Sequence, residues 1–284
     1  MLEEIKFLKN KLPFHVIFYP TSRCNLFCEH CFNHDRQDNV SGKTGLNSEM
    51  SLEEINKLSL NFEHLKSLTI TGGEPFLRKD IKEIVEIFYK NNGLQYVSIH
   101  SHGLLNTRVV ETVEKILAEL PKLKVIYCTS IDGLEEKHNL IRGAKDGFNK
   151  TVQTIKDIQK VKDKYFDRLF LLTSTIFSLT SQDEYIETIE YINKNLKYVS
   201  PRSCFIRGDV RGNEEKNVNT NLYQDYIDIT SKHMDPTVKA FSGMAVKETI
   251  ESLTPEVVMA NHRKQKQTVK CQAGKKMVVI YENG

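Results

Sequence analysis

Apolar and polar positions along the chain alternate between two periods. Residues 14–19 (FHVIFY) form a short, mostly apolar run of the kind found in a strand buried on both faces. Ser51 followed by Glu54 is a capping box, and the helix it opens carries Leu52, Ile55, Leu58 and Phe62 along one side. A short strand, Leu68 to Thr71, ends in Gly72-Gly73. Ile81, Ile84, Val85 and Phe88 then repeat at helical spacing, and Gly93 supplies a stop. The unit recurs: strand 96–99 with helix 109–120 before Pro121, then strand 125–128 with helix 148–161, whose Val152, Ile155 and Ile158 share a side. Strand 169–177 is followed by helix 183–196, and 203–206 reads as a sixth strand. Strands alternating with helices favour parallel pairing through helical crossovers. The fold class expected is α/β, a partial (β/α)6 TIM-like barrel with parallel strands, followed by a helical segment.

The pattern changes after Gly208. Residues 211–217 are polar and loop-like, and helical segments follow at 219–234 and 236–252, with another opening near Pro255. The chain closes on Cys271-Gln272-Ala273-Gly274 and a strand-like run at 277–281. The expected organisation is an N-terminal helical lead-in at 1–13, the barrel at 14–210, a helical connection at 211–268 and a distinct C-terminal element at 269–284.

Composition narrows the function. The 284 residues are 39% apolar and 27% charged, ordinary for a globular chain with one large core. A formal net charge of +3, from 40 basic and 37 acidic side chains, leaves no electrostatic case for nucleic acid or a membrane surface. The first thirteen residues hold Glu3 and Glu4 and no long apolar stretch, unlike a secretory signal, and no window reaches the length of a transmembrane helix. A cytoplasmic location is expected.

Six cysteines in such a chain point to metal or redox chemistry rather than a disulfide scaffold. Cys128 and Cys204 sit alone in strand-like runs and read as small buried hydrophobes. Cys24, Cys28 and Cys31 fall within eight residues, directly after the first strand. Three thiolates suit a [4Fe–4S] cluster with one iron lacking a protein ligand. The rival is a four-ligand zinc site completed by His30 or His34. The second feature is Gly72-Gly73-Glu74-Pro75, where paired glycines at a strand end let backbone approach a ligand closely. Both features lie after strand ends, where barrels carry their chemistry.

Together, the CxxxCxxC spacing of Cys24, Cys28 and Cys31 and the Gly-Gly-Glu-Pro segment resemble the radical S-adenosylmethionine (SAM) enzymes, and the resemblance spans essentially the whole chain. It implies that the three cysteines hold a [4Fe–4S] cluster whose fourth iron is chelated by SAM. It also implies that reductive cleavage of SAM yields a 5′-deoxyadenosyl radical, which abstracts hydrogen from a substrate. By the same resemblance, Gly72, Gly73, Glu74 and Pro75 receive the SAM amino group, with Glu74 as side-chain acceptor. His30, just before the third cysteine, lies against the adenine. Ser130, in Ser130-Ile131-Asp132-Gly133, contacts the ribose, and Arg142, in His138-x3-Arg142, meets the SAM carboxylate, as a guanidinium fork suits.

Two segments depart from the family pattern. The third strand ends in Ser101-His102-Gly103 rather than a TNG-like turn, so His102 is either a donor to SAM or substrate or a satisfied loop residue. The fifth strand reads Thr173-Ser174-Thr175-Ile176, with Ile176 expected to pack on adenine.

Cys271-Gln272-Ala273-Gly274 resembles the start of a SPASM or twitch extension, in which further cysteines hold auxiliary iron–sulfur clusters. No cysteine follows Cys271, so the expectation is a chain truncated at the start of that extension, or one whose auxiliary site is lost. The function implied is an oxygen-sensitive enzyme acting on a peptide or protein side chain, as in peptide maturases and sulfatase maturases. It would be served by a one-electron donor such as flavodoxin or ferredoxin. The alternatives are a small-molecule substrate (a sugar, nucleoside or cofactor precursor) and, in another class, a non-catalytic metal-binding scaffold. No residue stands out as a catalytic acid or base.

Overall fold

The computed structural model describes residues 13–40, 49–232, 257–261, 263–264, 267, 270–271 and 273–284. The expected lead-in helix, the helix at 236–252 and the start of the one near Pro255 lie outside the described residues. Seven strands form one sheet in the order β6-β5-β4-β3-β2-β1-β7, and every pairing is parallel. They are β1 (His15–Thr21), β2 (Ser67–Gly72), β3 (Tyr96–Ser101), β4 (Lys124–Ser130), β5 (Leu169–Phe177), β6 (Val199–Phe205) and β7 (Met277–Ile280). Among the described residues, the α-helices of seven residues or more are α1 (His34–Val40), α2 (Leu52–Ser59), α3 (Ile81–Asn92), α4 (Asn106–Glu119), α5 (Glu135–Arg142), α6 (Gly147–Lys164), α7 (Tyr185–Asn195) and α8 (Thr220–Lys232). The result is the partial α/β barrel that the alternating periods predict.

Two strands differ from expectation. β6 begins at Val199, four residues before the expected start at Ser203; Pro201 and Arg202 interrupt its apolar pattern and mask its first half in the sequence. A proline is tolerated there since β6 is an edge of the sheet. The run 277–281, expected in a separate C-terminal element, instead contributes β7 to the barrel sheet, with His15 opposite Met277 and Ile17 opposite Val279. Its Met-Val-Val-Ile sequence is a fitting partner for β1, but apolar character carries no information about which strand it joins.

The packing follows from strand alternation. Val16, Phe18, Leu68, Ile70, Val97, Ile99, Val125, Leu169 and Leu171 are buried against the helical layer. From that layer come Ile84, Val85 and Phe88 of α3 and Val109, Val113, Ile116 and Leu117 of α4. Each such side chain contributes about 1.5–3 kcal/mol by leaving water. The expected capping box is present: Ser51 Oγ accepts from Glu54 N–H at 3.2 Å and Glu54 Oε2 accepts from Ser51 N–H at 2.8 Å. Gly93 closes α3 in the left-handed conformation at φ 61°.

The opposite strand faces share a second set of positions. Ser130, Ser174 and Arg202 stand in register on β4, β5 and β6, one step from the Ile176–Cys204 pair. Ser203 points the other way, accepting from Tyr185 Oη at 2.6 Å on α7, which assigns Arg202 and Cys204 to the inner face. Among the described residues, no helix is long and apolar enough to cross a membrane.

Phe88 is fully buried and meets Phe18 edge-on, with ring centroids 6.2 Å apart. Phe88→Ala is expected to lower unfolding free energy by about 3–5 kcal/mol, measured by urea denaturation of the apoprotein.

Candidate active site

The cysteine loop leaves the end of β1 and folds back on itself, with Cys31 N–H donating to the Cys28 carbonyl at 3.2 Å. Leu26, Cys28 and Ala144 form a small buried cluster, and Cys24, Cys31 and Leu104 pack against it. From the far side, Arg211 and Gly212 N–H groups donate to the carbonyls of Cys31 and Glu29 at 3.3 and 2.9 Å. The Arg211 guanidinium lies 3.3 Å from the Phe27 ring centroid. Burial pushes the Cys24 thiol up to about 12 and raises Cys28 and Cys31, while Arg142 pulls the last two back. All three are free thiols, so loading a metal displaces their protons.

The donor set separates a cluster from a single ion. Tetrahedral zinc, with Zn–S near 2.3 Å, holds its sulfurs about 3.8 Å apart. Among the described residues, the Cys, His, Asp and Glu ligand atoms lying within 4.8 Å of one another in a group of three are those of His34, Asp35 and Asp209. No cysteine belongs to such a group, and neither His30 nor His34 joins the thiols in one. The three thiols lie on one loop without forming such a close group, and they suit a cluster, whose cysteines bind separate irons.

The glycine turn meets this loop backbone to backbone. Gly73 N–H donates to the Thr21 carbonyl at 2.9 Å and Glu74 N–H to the Arg23 carbonyl at 2.7 Å. A Cβ on Gly73 would lie 2.0 Å from the Arg23 oxygen, so glycine alone permits the approach. The Glu74 side chain turns inward, with 1% of its surface exposed. Oε1 accepts from Phe76 N–H and Ser101 Oγ–H, each at 3.0 Å, and Oε2 accepts from His102 N–H at 2.8 Å. Three of the carboxylate's acceptor positions are therefore taken by the protein's own donors. Pro75 is buried in the short helical turn that Glu74 caps.

The third component is built on β4 and α5. Ser130 is half-buried at the end of β4, where Ile131 N–H donates to the Ser174 carbonyl at 3.1 Å. Asp132 is buried and accepts from Arg142 Nε–H at 2.5 Å and from Ile176 N–H at 2.9 Å. Arg142 Nη2 also pairs with it. The Arg142 cation holds the Asp132 carboxyl below its usual range against the opposing effect of burial, and Asp132 in turn raises Arg142 against desolvation. Arg142 Nη1 is 3.8 Å from Cys28 Sγ. His138 fixes the turn by accepting from Asp132 N–H through Nδ1 at 3.2 Å, and burial lowers its pKa to about 4.

Of the expected residues, the structure therefore joins Cys24, Cys28, Cys31, Gly72, Gly73, Glu74, Pro75 and Arg142 at the C-terminal edge of the sheet. His30 is buried within electrostatic reach of Asp132 and Arg142, its pKa lowered to about 4 by burial. Ile176 joins through its backbone, and His102 lies between the cysteine loop and Glu74, 2.8 Å from Asn25. Cys271 is exposed, its sulfur accepting from Ala273 N–H at 3.4 Å. Asp132 was legible only as a letter of its motif, and Ser101 carried no signal. Of the two cysteines read as buried hydrophobes, Cys128 is buried, whereas Cys204 is half-buried and hydrogen-bonding distance, 3.4 Å, from Ser174 Oγ.

Two outcomes are expected. Asp132→Ala leaves Arg142 with no counter-ion in a buried position and should cost about 3–5 kcal/mol in urea denaturation. Burial raises Glu74 from 4.5 to about 7, so folding takes up a proton between those values. Its stabilising contribution is complete below pH 4.5 and is lost as pH rises through 7, a change of about 3 kcal/mol. His30, His102 and His138, all lowered by burial, act in the opposite sense in this range. The stability difference between wild type and Glu74→Gln isolates the carboxyl, and it should fall by that amount between pH 4.5 and 8.

Residues 18–192, more than half of the chain, match the Radical SAM superfamily. Sporulation killing factor maturation protein SkfB of Bacillus subtilis is 32% identical over 54% of this chain and 34% of its own length. A GTP 3′,8-cyclase of Helicobacter pylori is 24% identical over 72% of this chain and 61% of its own. Among solved structures, Streptococcus suis SuiB bound to its precursor peptide SuiA superposes with a TM-score of 0.65 at 15% identity, covering all of this chain and 61% of SuiB. SuiB bound to S-adenosylmethionine gives 0.63 at 17% identity, again over all of this chain and 61% of SuiB. The chain thus spans about a third to three-fifths of these proteins. With its cysteine loop, glycine turn and Asp132–Arg142 pair at one edge of a parallel barrel, the chain belongs to the Radical SAM superfamily.

Proposed function

We propose that this chain is the SAM-cleaving barrel of a radical SAM enzyme that modifies a peptide or protein side chain. The observation that carries the reading is the convergence of three free thiols on one loop with a buried, counter-ion-held Arg142 beside Cys28. Cys24, Cys28 and Cys31 would hold a [4Fe–4S] cluster that, with SAM on its fourth iron, supplies a 5′-deoxyadenosyl radical for hydrogen abstraction.

The protein's own part is binding, orientation and exclusion of water. Arg142 remains cationic because Asp132 faces it, and it is the group to receive the SAM carboxylate. The Gly72–Gly73 backbone and the remaining acceptor position of the Glu74 carboxylate are assigned to the amino group. Ser130 is assigned to the ribose, and His30 and Ile176 to the adenine, each at the same edge of the sheet. Electrons would come from a flavodoxin or ferredoxin. An auxiliary cluster at Cys271 would draw on thiolates outside this sequence.

A peptide substrate is supported by the likeness to SkfB and to SuiB with its precursor peptide. The likeness to GTP 3′,8-cyclase supports a small-molecule alternative.

Anoxic reconstitution with iron and sulfide should give a brown protein, bleached by dithionite, that forms 5′-deoxyadenosine from SAM. Alanine at Cys24, Cys28 and Cys31 should abolish both properties, and an undiminished yield would refute the assignment. Stoichiometric zinc without colour would instead favour a scaffold. Deuterium transfer into 5′-deoxyadenosine from a labelled ribosomal peptide, but not from labelled nucleotides or sugars, would select the peptide reading.

A further inference from the structure

His102 stands at the tip of β3, directly after Ser101, and its residue is 6% exposed. Leu104 N–H donates to its Nδ1 at 3.0 Å, which leaves the ring proton on Nε2. That proton faces two acceptors, Asn25 Oδ1 at 2.8 Å and Glu74 Oε2 at 3.3 Å. Asn25 lies between Cys24 and Cys28, while Glu74 belongs to the glycine turn. One imidazole thus spans the two segments that would hold cluster and SAM.

The ring has little freedom to retreat. Thr151 Oγ1 donates to the His102 carbonyl at 3.0 Å and Thr154 Oγ1 to the Gly103 carbonyl at 2.6 Å, tying the β3 tip to α6. Its own backbone N–H is bonded to Glu74. Burial, reinforced by Arg142, keeps the imidazole neutral by lowering its pKa to about 3, so the link is a neutral N–H donor and not an ion pair. A phenylalanine would fill the space without donating. A glutamine reaches a similar distance with a donor amide, on a more flexible stem.

We infer that His102 is a positioning residue that ties the cysteine loop, through Asn25, to the Glu74 turn, and so holds a cluster in register with SAM. This rests on the site reading above. The three cysteines suffice to retain iron; the tether decides how well the loaded site accepts SAM.

The test uses wild type, His102→Phe, His102→Gln, Asn25→Ala and the Asn25→Ala/His102→Phe double variant, each reconstituted anoxically. Iron per chain and the SAM-dependent change in the low-temperature EPR spectrum of the reduced cluster are measured. His102→Phe should keep wild-type iron content and need about tenfold more SAM for the half-maximal spectral change. His102→Gln should recover most of that loss, and the double variant should be no worse than the poorer single one. A wild-type SAM titration in His102→Phe, or additive single effects, would overturn the tether. Thermal unfolding of the apoproteins separates this from the site reading. Non-additive unfolding shifts alongside a wild-type cluster that ignores SAM would keep the tether and overturn the site.

Discussion

The buried Asp132–Arg142 pair is the interaction on which the rest of the site depends. Taking either charge out of water alone would be costly, and the pairing makes both tolerable beside a buried thiol. Asp132 uses its remaining capacity on Ile176 N–H, and its own N–H is held by His138. One carboxylate therefore joins the ends of β4 and β5 to the last turn of α5, and Arg142 carries that order onward to Cys28. The motif histidine and aspartate are best understood as the support that aims the arginine.

A second constraint is steric. The glycine turn approaches the cysteine loop so closely that its backbone hydrogen-bonds to Thr21 and Arg23, and no side chain fits at Gly73. Glu74 then stabilises the turn from beneath by collecting donors from Phe76, Ser101 and His102. A buried carboxyl with several donors is half-way between structural and chemical use. Its proton affinity rises through burial even as those hydrogen bonds oppose the rise.

Much of the fold was legible because parallel strands buried on one face by helices leave period-coded runs. Phe18, Ile70, Ile99 and Val125 fall in strands and Ile84, Phe88 and Val113 in helices, as their spacing implies. Short helices such as α5 were less visible, since Leu140 and Ile141 are its only apolar residues. Boundaries failed where local chemistry conflicts with the pattern: Pro201 and Arg202 obscure β6 because an edge strand tolerates both.

What the sequence by itself determined was the succession of elements and the chemistry placed between them: a cysteine triad after the first strand, paired glycines after the second, and an arginine below the fourth. Those are local properties, set by spacing and by the ligand preferences of sulfur. Only the tertiary structure decided that β7 completes the sheet beside β1, that Glu74 turns inward, and that Asp132, not solvent, is the partner of Arg142. These outcomes depend on which buried polar groups must satisfy one another across long stretches of chain. A carboxylate and the donors that claim it lie 27 and 28 residues apart at Ser101 and His102, a pairing that no spacing rule encodes and that burial enforces.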